Sequence, residues 1–265
     1  MRSPSEAVPD LVPTLLARAA RILSAFEGRR STLTLTDVVQ FSGLSQTTVH
    51  RLMSQLVQLG WLERDDREYR VGLRLLELGA FASRYCRLRQ AALPFLISLH
   101  QATGRWVQLT AREGPEIVIL EQIGDPLRSA VPFHTGSRLP VHCTASGKAL
   151  LAFSGAADEP ALTREQPART RATITTPDAM LAELAEVSST GIAFDRRECF
   201  DDVTCIAAPL RGAGWALAAI SVSQVGEPDD LSPLAPQVVQ YADAVWSSMF
   251  CRGGDSGVEW PESGP

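Results

Sequence analysis

No uninterrupted apolar run in this 265-residue chain reaches the roughly 18 to 20 residues that would span a bilayer. The opening MRSPSEAVPD lacks the basic-then-apolar order of a secretion signal. A cytoplasmic protein without membrane association is therefore expected. No CxxC pair occurs among the five cysteines, Cys86, Cys143, Cys199, Cys205 and Cys251, and an odd count in a chain of this size reads as reduced thiols rather than a disulfide framework. The four histidines do not fall at metal-ligand spacing from them, so neither a metal nor another cofactor is expected. A repeat of fixed period is also lacking, which excludes solenoids and propellers. Lysine is missing from the first 89 residues, where every positive charge is an arginine.

What is present suits two globular domains, since hydrophobic residues make up 45% of the chain. Residues 1–89 carry 13 Arg against 9 Asp and Glu, net +4, whereas residues 90–265 carry 12 Lys and Arg against 21 Asp and Glu, net −9. A basic front on an acidic remainder fits a polyanion-binding module joined to something else. Both ends, 1–12 and 252–265, have the Pro, Gly, Ser and acid content of disordered tails.

The front half reads as helices. Leu15, Leu16, Ala19, Ile22, Leu23 and Phe26 recur at three and four, and Gly28 closes that run. Thr36 reads as the cap of a short second helix that stops at Gly43. Ser45 caps a third, in which Val49, Leu52, Met53, Leu56 and Leu59 face inward and Gly60 ends the run. Trp61–Arg64 and Tyr69–Val71 flank the polar turn Asp65-Asp66-Arg67 as a β-wing. Residues 13–73 are thus a winged helix-turn-helix, and 74–90 a linker helix ending near Gln90.

The outward face of the third helix carries the chemistry for DNA. Gln46 and Arg51 have the groups that read adenine and guanine edges, and Thr47 and Thr48 suit phosphate oxygens or a thymine methyl. Ser45 and His50 share that end or face, and Arg67 at the wing tip is a candidate phosphate contact, as is the pair Arg29-Arg30. The expected partner is double-stranded operator DNA.

Residues 91–251 alternate differently. Val107–Ala111 and Ile117–Ile123 form a hairpin around Glu113–Glu116, and Ala145–Phe153 and Met180–Val187 are helical. Gly191–Phe194, Thr204–Leu210 and Trp215–Val222 are β-like, and Leu234–Phe250 is a closing helix. This is an α+β domain with a mainly antiparallel sheet. Its SGK sequence fails as a phosphate loop, which needs Gly where His142 stands and Ser or Thr where Ala149 stands. His142-Cys143 reads as strand-like, with the two side chains on opposite faces and no third group beside them, so catalysis is not expected.

The strings SGLSQTTVHRLMSQLVQLGWLER, GSRLPVHCTASGKALLA, GIAFDRRE, VTCIAAPL and AAISVS, in this order, resemble the IclR family of transcription regulators from about Pro13 to Phe250. The resemblance implies a GAF-like C-terminal domain, a curved antiparallel sheet flanked by helices, that binds a small-molecule effector. It implies dimers or dimers of dimers. By motif, it places effector contacts at Ala145, Ser146, Asp195, Cys205, Ser221 and Ser223, with apolar lining from Val131, Leu139 and Val203. Backbone N–H groups at Ala145-Ser146 suit a carboxylate. Two other readings stay open: a thiol- or metal-responsive regulator using Cys199 and Cys205, or a ligand-binding protein that does not bind DNA.

Overall fold

The computed structural model describes residues 14–26, 32–80, 83–126, 131–154, 163–212, 215–226 and 230–250. The tails expected to be disordered, Gly28, and the pair Arg29-Arg30 lie outside the described residues. The chain divides into two compact units, Met1–Cys86 and Arg87–Pro265.

In the first unit α1 (Leu15–Ser24), β1 (Leu33–Thr34), α2 (Leu35–Ser42), α3 (Gln46–Gln58), β2 (Leu62–Asp65), β3 (Glu68–Val71) and α4 (Leu73–Ala80) follow in order. The three strands form an antiparallel sheet in the order β1-β3-β2. Ile22 and Phe26, Val38, and the α3 stripe Val49, Leu52, Met53 and Leu56 close on Leu62 and Tyr69 of the wing in one core. Gly43 ends α2 at φ +66, a left-handed conformation open to glycine at little cost, and this makes the tight turn into α3.

Three local readings are corrected. The cap of α2 is Thr34, not Thr36: the Thr34 hydroxyl accepts from the Asp37 N–H, and the Asp37 carboxylate accepts from the Thr34 N–H at 2.9 Å. Asp37 stands three residues after Thr34, which is the spacing of a reciprocal capping box. Leu15 and Leu16 are exposed, and Ala17 with Ile22 supplies the buried face of α1 instead. Leu59 is also exposed, because it follows the last turn of α3.

The linker helix expected over 74–90 falls across two elements, α4 and α5 (Ser83–Thr103), and α5 continues past Gln90 and through Pro94. Nothing near Gln90 can terminate it. The stop comes at Gly104, φ +65, whose N–H donates to the His100 carbonyl at 2.7 Å.

The rest of the second unit is β4 (Trp106–Glu113), β5 (Glu116–Ile123), β6 (Arg138–Pro140), α6 (Ala145–Leu151), α7 (Pro177–Thr190), β7 (Ala193–Arg196), β8 (Val203–Arg211), β9 (Ala216–Val225) and α8 (Ala235–Phe250). One antiparallel sheet runs β6-β5-β4-β9-β8-β7, so β4 pairs with β9 from the far end of the domain. Strand alternation puts Cys205 and Ala207 on the face that packs with Ala145 and Ala149 of α6 and with Met180, Leu184 and Val187 of α7. The small side chains at 145, 149, 207 and 219 let α6 lie close to the sheet. α8 packs against β8 and β9 and buries Val238, Ala242 and Val245.

The reassigned cap gives a direct test. Thr34→Ala should destabilise the full chain by about 1 kcal/mol in denaturant unfolding, and Thr36→Ala by clearly less. Equal costs at the two positions would contradict the capping box.

Candidate nucleic-acid interface and ligand cavity

The buried stripe of α3 fixes its outward face. Gln46, Thr47, His50 and Arg51 are all exposed on the side away from Val49, Leu52 and Met53. Ser45 and Thr48 are already engaged. The Ser45 hydroxyl accepts from the Thr48 N–H at 3.4 Å and shares a hydrogen bond of 2.9 Å with the Thr48 hydroxyl. These two residues therefore fix the helix start, while the other four present it. Arg67 is exposed in the turn between β2 and β3, beside Asp66 at φ +50. The wing behind it is tied by the Arg70–Glu63 pair at 2.8 Å and by Arg64, which stacks over Tyr69 and donates to the Asp66 carbonyl. Among the described residues, neither Arg51 nor Arg67 makes an ion pair.

In the second unit, register places polar groups in a row. Asp195 lies opposite Cys205, Cys205 opposite Ser223, and Gln108 opposite Ser221, so all of them project from the same sheet face. They line a cavity with about 370 Å³ of atom-free space, its open mouth included. Ala145 and Ser146 of α6 also line it, as do Leu139 and Val203. Val131 does not reach the cavity and instead packs behind its wall with Trp106, Phe133 and Val203.

Ser221 and Ser223 are not idle hydroxyls. Each donates to the Oε1 of Gln108 at 3.0 Å, and Ser223 also lies 3.3 Å from the Cys205 sulfur. Asp195 Oδ1 accepts from the Glu198 N–H at 2.6 Å and the Cys199 N–H at 3.4 Å, shaping the loop after β7. Burial pushes the Asp195 carboxyl well above the ordinary aspartate range and the Cys205 thiol up to about 12.

Lys148 is the one lysine in the chain, and it is fully buried. Its ammonium donates to Glu183 of α7 and to Glu198 of the loop, each at 2.7 Å. Burial raises the Glu198 pKa, against the pull of Lys148. The phosphate-loop reading is thereby closed by geometry as well as by sequence, since this amine faces two carboxylates. Gly147 must be glycine: a Cβ would sit 2.2 Å from the Val141 carbonyl oxygen.

The segment carrying His142 and Cys143 is a 3₁₀ turn, Val141–Cys143, rather than strand-like. In the turn the His142 Nε2 meets the Pro167 carbonyl at 3.1 Å and the Cys143 thiol donates to the Pro140 carbonyl at 3.9 Å. Cys143 and Cys199 lie near enough to influence one another's titration, while Cys205 faces Ser223. The neighbouring Cys199 draws the Cys143 thiol pKa down, and Cys199 itself is pushed up. Both thiols are buried. Among the described residues no group of three or more His, Cys, Asp or Glu is placed to hold a metal ion.

Sequence reasoning missed Gln108, Thr110, Phe133, Phe200 and Lys148. Gln108 and Thr110 did leave a signal: they are polar residues two apart in the apolar strand Val107–Ala111, where period two sends both to one face.

A winged helix-turn-helix with an open recognition helix, carried on a chain whose second unit holds a polar cavity, defines the class of ligand-linked DNA-binding regulators. The comparisons specify which. The family model described as "Bacterial transcriptional regulator IclR C-terminal" matches residues 81–228, and that of the "IclR helix-turn-helix domain" matches residues 15–66. The HTH-type transcriptional regulator XynR of Escherichia coli K12 is 33% identical over 223 residues, covering 82% of this chain and 88% of that protein. The glycerol operon regulatory protein of Streptomyces coelicolor is 32% identical, over 74% of this chain and 78% of its own. A crystal structure of an IclR homolog from Microbacterium hydrocarbonoxydans, complexed with 4-hydroxybenzoate, aligns with a TM-score of 0.79 at 31% identity, covering 89% of this chain and 99% of that one. The chain belongs to the IclR family, and it is a DNA-binding transcription regulator.

Lys148→Met leaves Glu198 buried without its cation and should cost roughly 3–5 kcal/mol near neutral pH. A carboxyl whose pKa is raised in the folded state binds a proton more readily there than in the unfolded chain. Stability of the variant should therefore recover as the pH falls through that raised value, and unfolding curves at two pH values measure it. A variant as stable as the parent at neutral pH would show that the pairs contribute nothing. At the interface, Arg51→Ala should weaken specific DNA binding by about 1–3 kcal/mol at fixed salt, concentrated at one base position per half-site, if it meets a base. Unchanged affinity would remove Arg51 from the contact set.

Proposed function

We propose that this regulator binds a small organic acid in the second-unit cavity and that occupancy alters its affinity for operator DNA. The observation that carries the proposal is the cavity's composition: buried Gln108, Asp195 and Ser146 between walls of Ile119, Phe133, Leu139, Phe200 and Val203. Few placed polar groups within apolar walls are the usual constitution of a small-ligand site. Asp195 favours an acid in one respect. Its carboxyl, raised by burial, is neutral over a wider pH range and does not repel a carboxylate there. Among the described residues, none accepts the N–H groups of Ala145 and Ser146, which stand at the cavity edge of α6. The relative crystallised with 4-hydroxybenzoate supports an aromatic or similarly compact acid.

Ser45, Gln46, Thr47, Thr48, His50, Arg51 and Arg67 form the operator-facing set in this reading, with Ser45 and Thr48 acting through the helix start. One recognition helix spans only a few base pairs, so a homodimer or dimer of dimers on a roughly palindromic operator is the assembly it requires. The ligand acts only if it binds the two DNA-affinity states unequally. The protein works inside the cell, where its DNA is, and catalyses no reaction. Among the described residues no helix is long and apolar enough to cross a membrane.

A thermal-shift series of small mono- and dicarboxylates and aromatic acids tests the reading, followed by titration of an operator selected from random duplexes, with and without the stabilising acid. At least one acid should stabilise the protein and change operator affinity several-fold. Sedimentation should give a dimer or larger. An acid that stabilises but leaves operator affinity unchanged, or a complete lack of stabilising acids, would overturn the proposal.

A further inference from the structure

Gln108 is 2% exposed and lines the cavity. Its Oε1 is saturated by the hydroxyls of Ser221 and Ser223, both at 3.0 Å. With the amide oxygen toward the two hydroxyls, its nitrogen points the other way. The other end, Nε2, is buried and has no hydrogen-bond partner. An amide donor buried without a partner is costly, and the loss is recovered only if something supplies an acceptor. The nearby Thr110 hydroxyl donates to the Ala219 carbonyl at 3.4 Å and is not bonded to this nitrogen. Nor are the two serines, whose oxygens lie at Oε1.

Resting on the organic-acid reading above, the geometry points to Gln108 as the specificity-determining residue of the cavity: its Nε2 donates to a second acceptor oxygen on the effector, apart from the carboxylate. The effector class narrows accordingly to hydroxy, oxo or dicarboxylic acids. A bare hydrocarbon acid leaves the amide unsatisfied and is selected against. Ser221 and Ser223 act as positioning residues that hold the amide, and not as direct ligand contacts. The β-bulge beside Leu109 and Thr110, where β4 shifts register against β5, sits next to this donor and re-aims the strand there.

Calorimetry with benzoate, 4-hydroxybenzoate and 4-formylbenzoate tests the assignment, the last because its added oxygen can only accept. The parent should bind both oxygen-bearing acids about tenfold more tightly than benzoate, the equivalent of about 1.4 kcal/mol. Gln108→Met should bring all three to a common affinity close to that of benzoate in the parent. The double variant Ser221→Ala with Ser223→Ala keeps Gln108 but frees it to turn, and should reduce the discrimination. It also serves if Gln108→Met does not fold. An advantage for the oxygen-bearing acids that survives in both variants would overturn the inference and leave the organic-acid reading standing. An advantage for 4-hydroxybenzoate without one for 4-formylbenzoate would show that the amide presents its oxygen, and would equally overturn it. Failure of every acid in the thermal-shift series, these three included, to bind the parent would overturn the two together.

Discussion

The second unit depends on one buried cation. An ammonium moved out of water loses several kcal/mol of hydration, and only well-placed carboxylates offset this. Lys148 meets two, one from α7 and one from the loop after β7, and so these elements cannot drift away from α6 without stranding a charge. The same loop is held from its other side. The Thr170 hydroxyl donates to the Arg197 carbonyl at 2.6 Å, and the Thr173 hydroxyl to that of Glu198 at 2.7 Å. Ala145 and Ser146 precede Lys148 by one turn or less, and Asp195 and Cys199 flank Glu198. The ion pairs thus set the distance between two walls of the cavity.

The floor is set by a different logic. Cross-strand register stacks Asp195, Cys205 and Ser223 on one rung and Gln108 with Ser221 on the next, and hydrogen bonds among them fix the polar pattern before any ligand arrives. Preorganisation of this kind lets a small molecule be recognised by few contacts. It also ties ligand binding to strands β4, β8 and β9, the centre of the sheet. In the first unit, capping rather than charge does the placing: Thr34 with Asp37, then Gly43, then Ser45 fix the angle at which α3 leaves the turn and therefore which four side chains face outward.

Much of this was legible in the residues because it is periodic or local. The α3 stripe, the Ser45 cap, the wing turn and the antiparallel strands follow from spacings of three to four or two. Errors arose where two local signals competed. Thr34 and Thr36 are equally good caps in isolation, and only the reciprocal bond with Asp37 separates them. Leu15 and Leu16 fit the helical period, but their positions face away from the core. Gln90 gave no stop signal, and the true one, Gly104, lies a further fourteen residues on. Tertiary features were the least readable. Nothing in the TASGKALLA string indicates that Lys148 meets Glu183 and Glu198, 35 and 50 residues away. Cys199 seemed paired with Cys205 by proximity in sequence, whereas Cys143 lies near enough to influence its titration. The family resemblance marked Ser221 and Ser223 as effector contacts, yet their partner Gln108 sits 113 and 115 residues distant.

Because the chain contains a single lysine, lysine labelled with ¹⁵N and ¹³C gives one side-chain resonance, which reports on the central charge directly. The ammonium protons of Lys148 should exchange slowly with water, and the signal should move when Glu198 is changed to Gln. It should also shift when an acid fills the adjoining cavity. A resonance at the position of an unfolded chain, exchanging as freely as a surface lysine and indifferent to Glu198→Gln, would contradict the account.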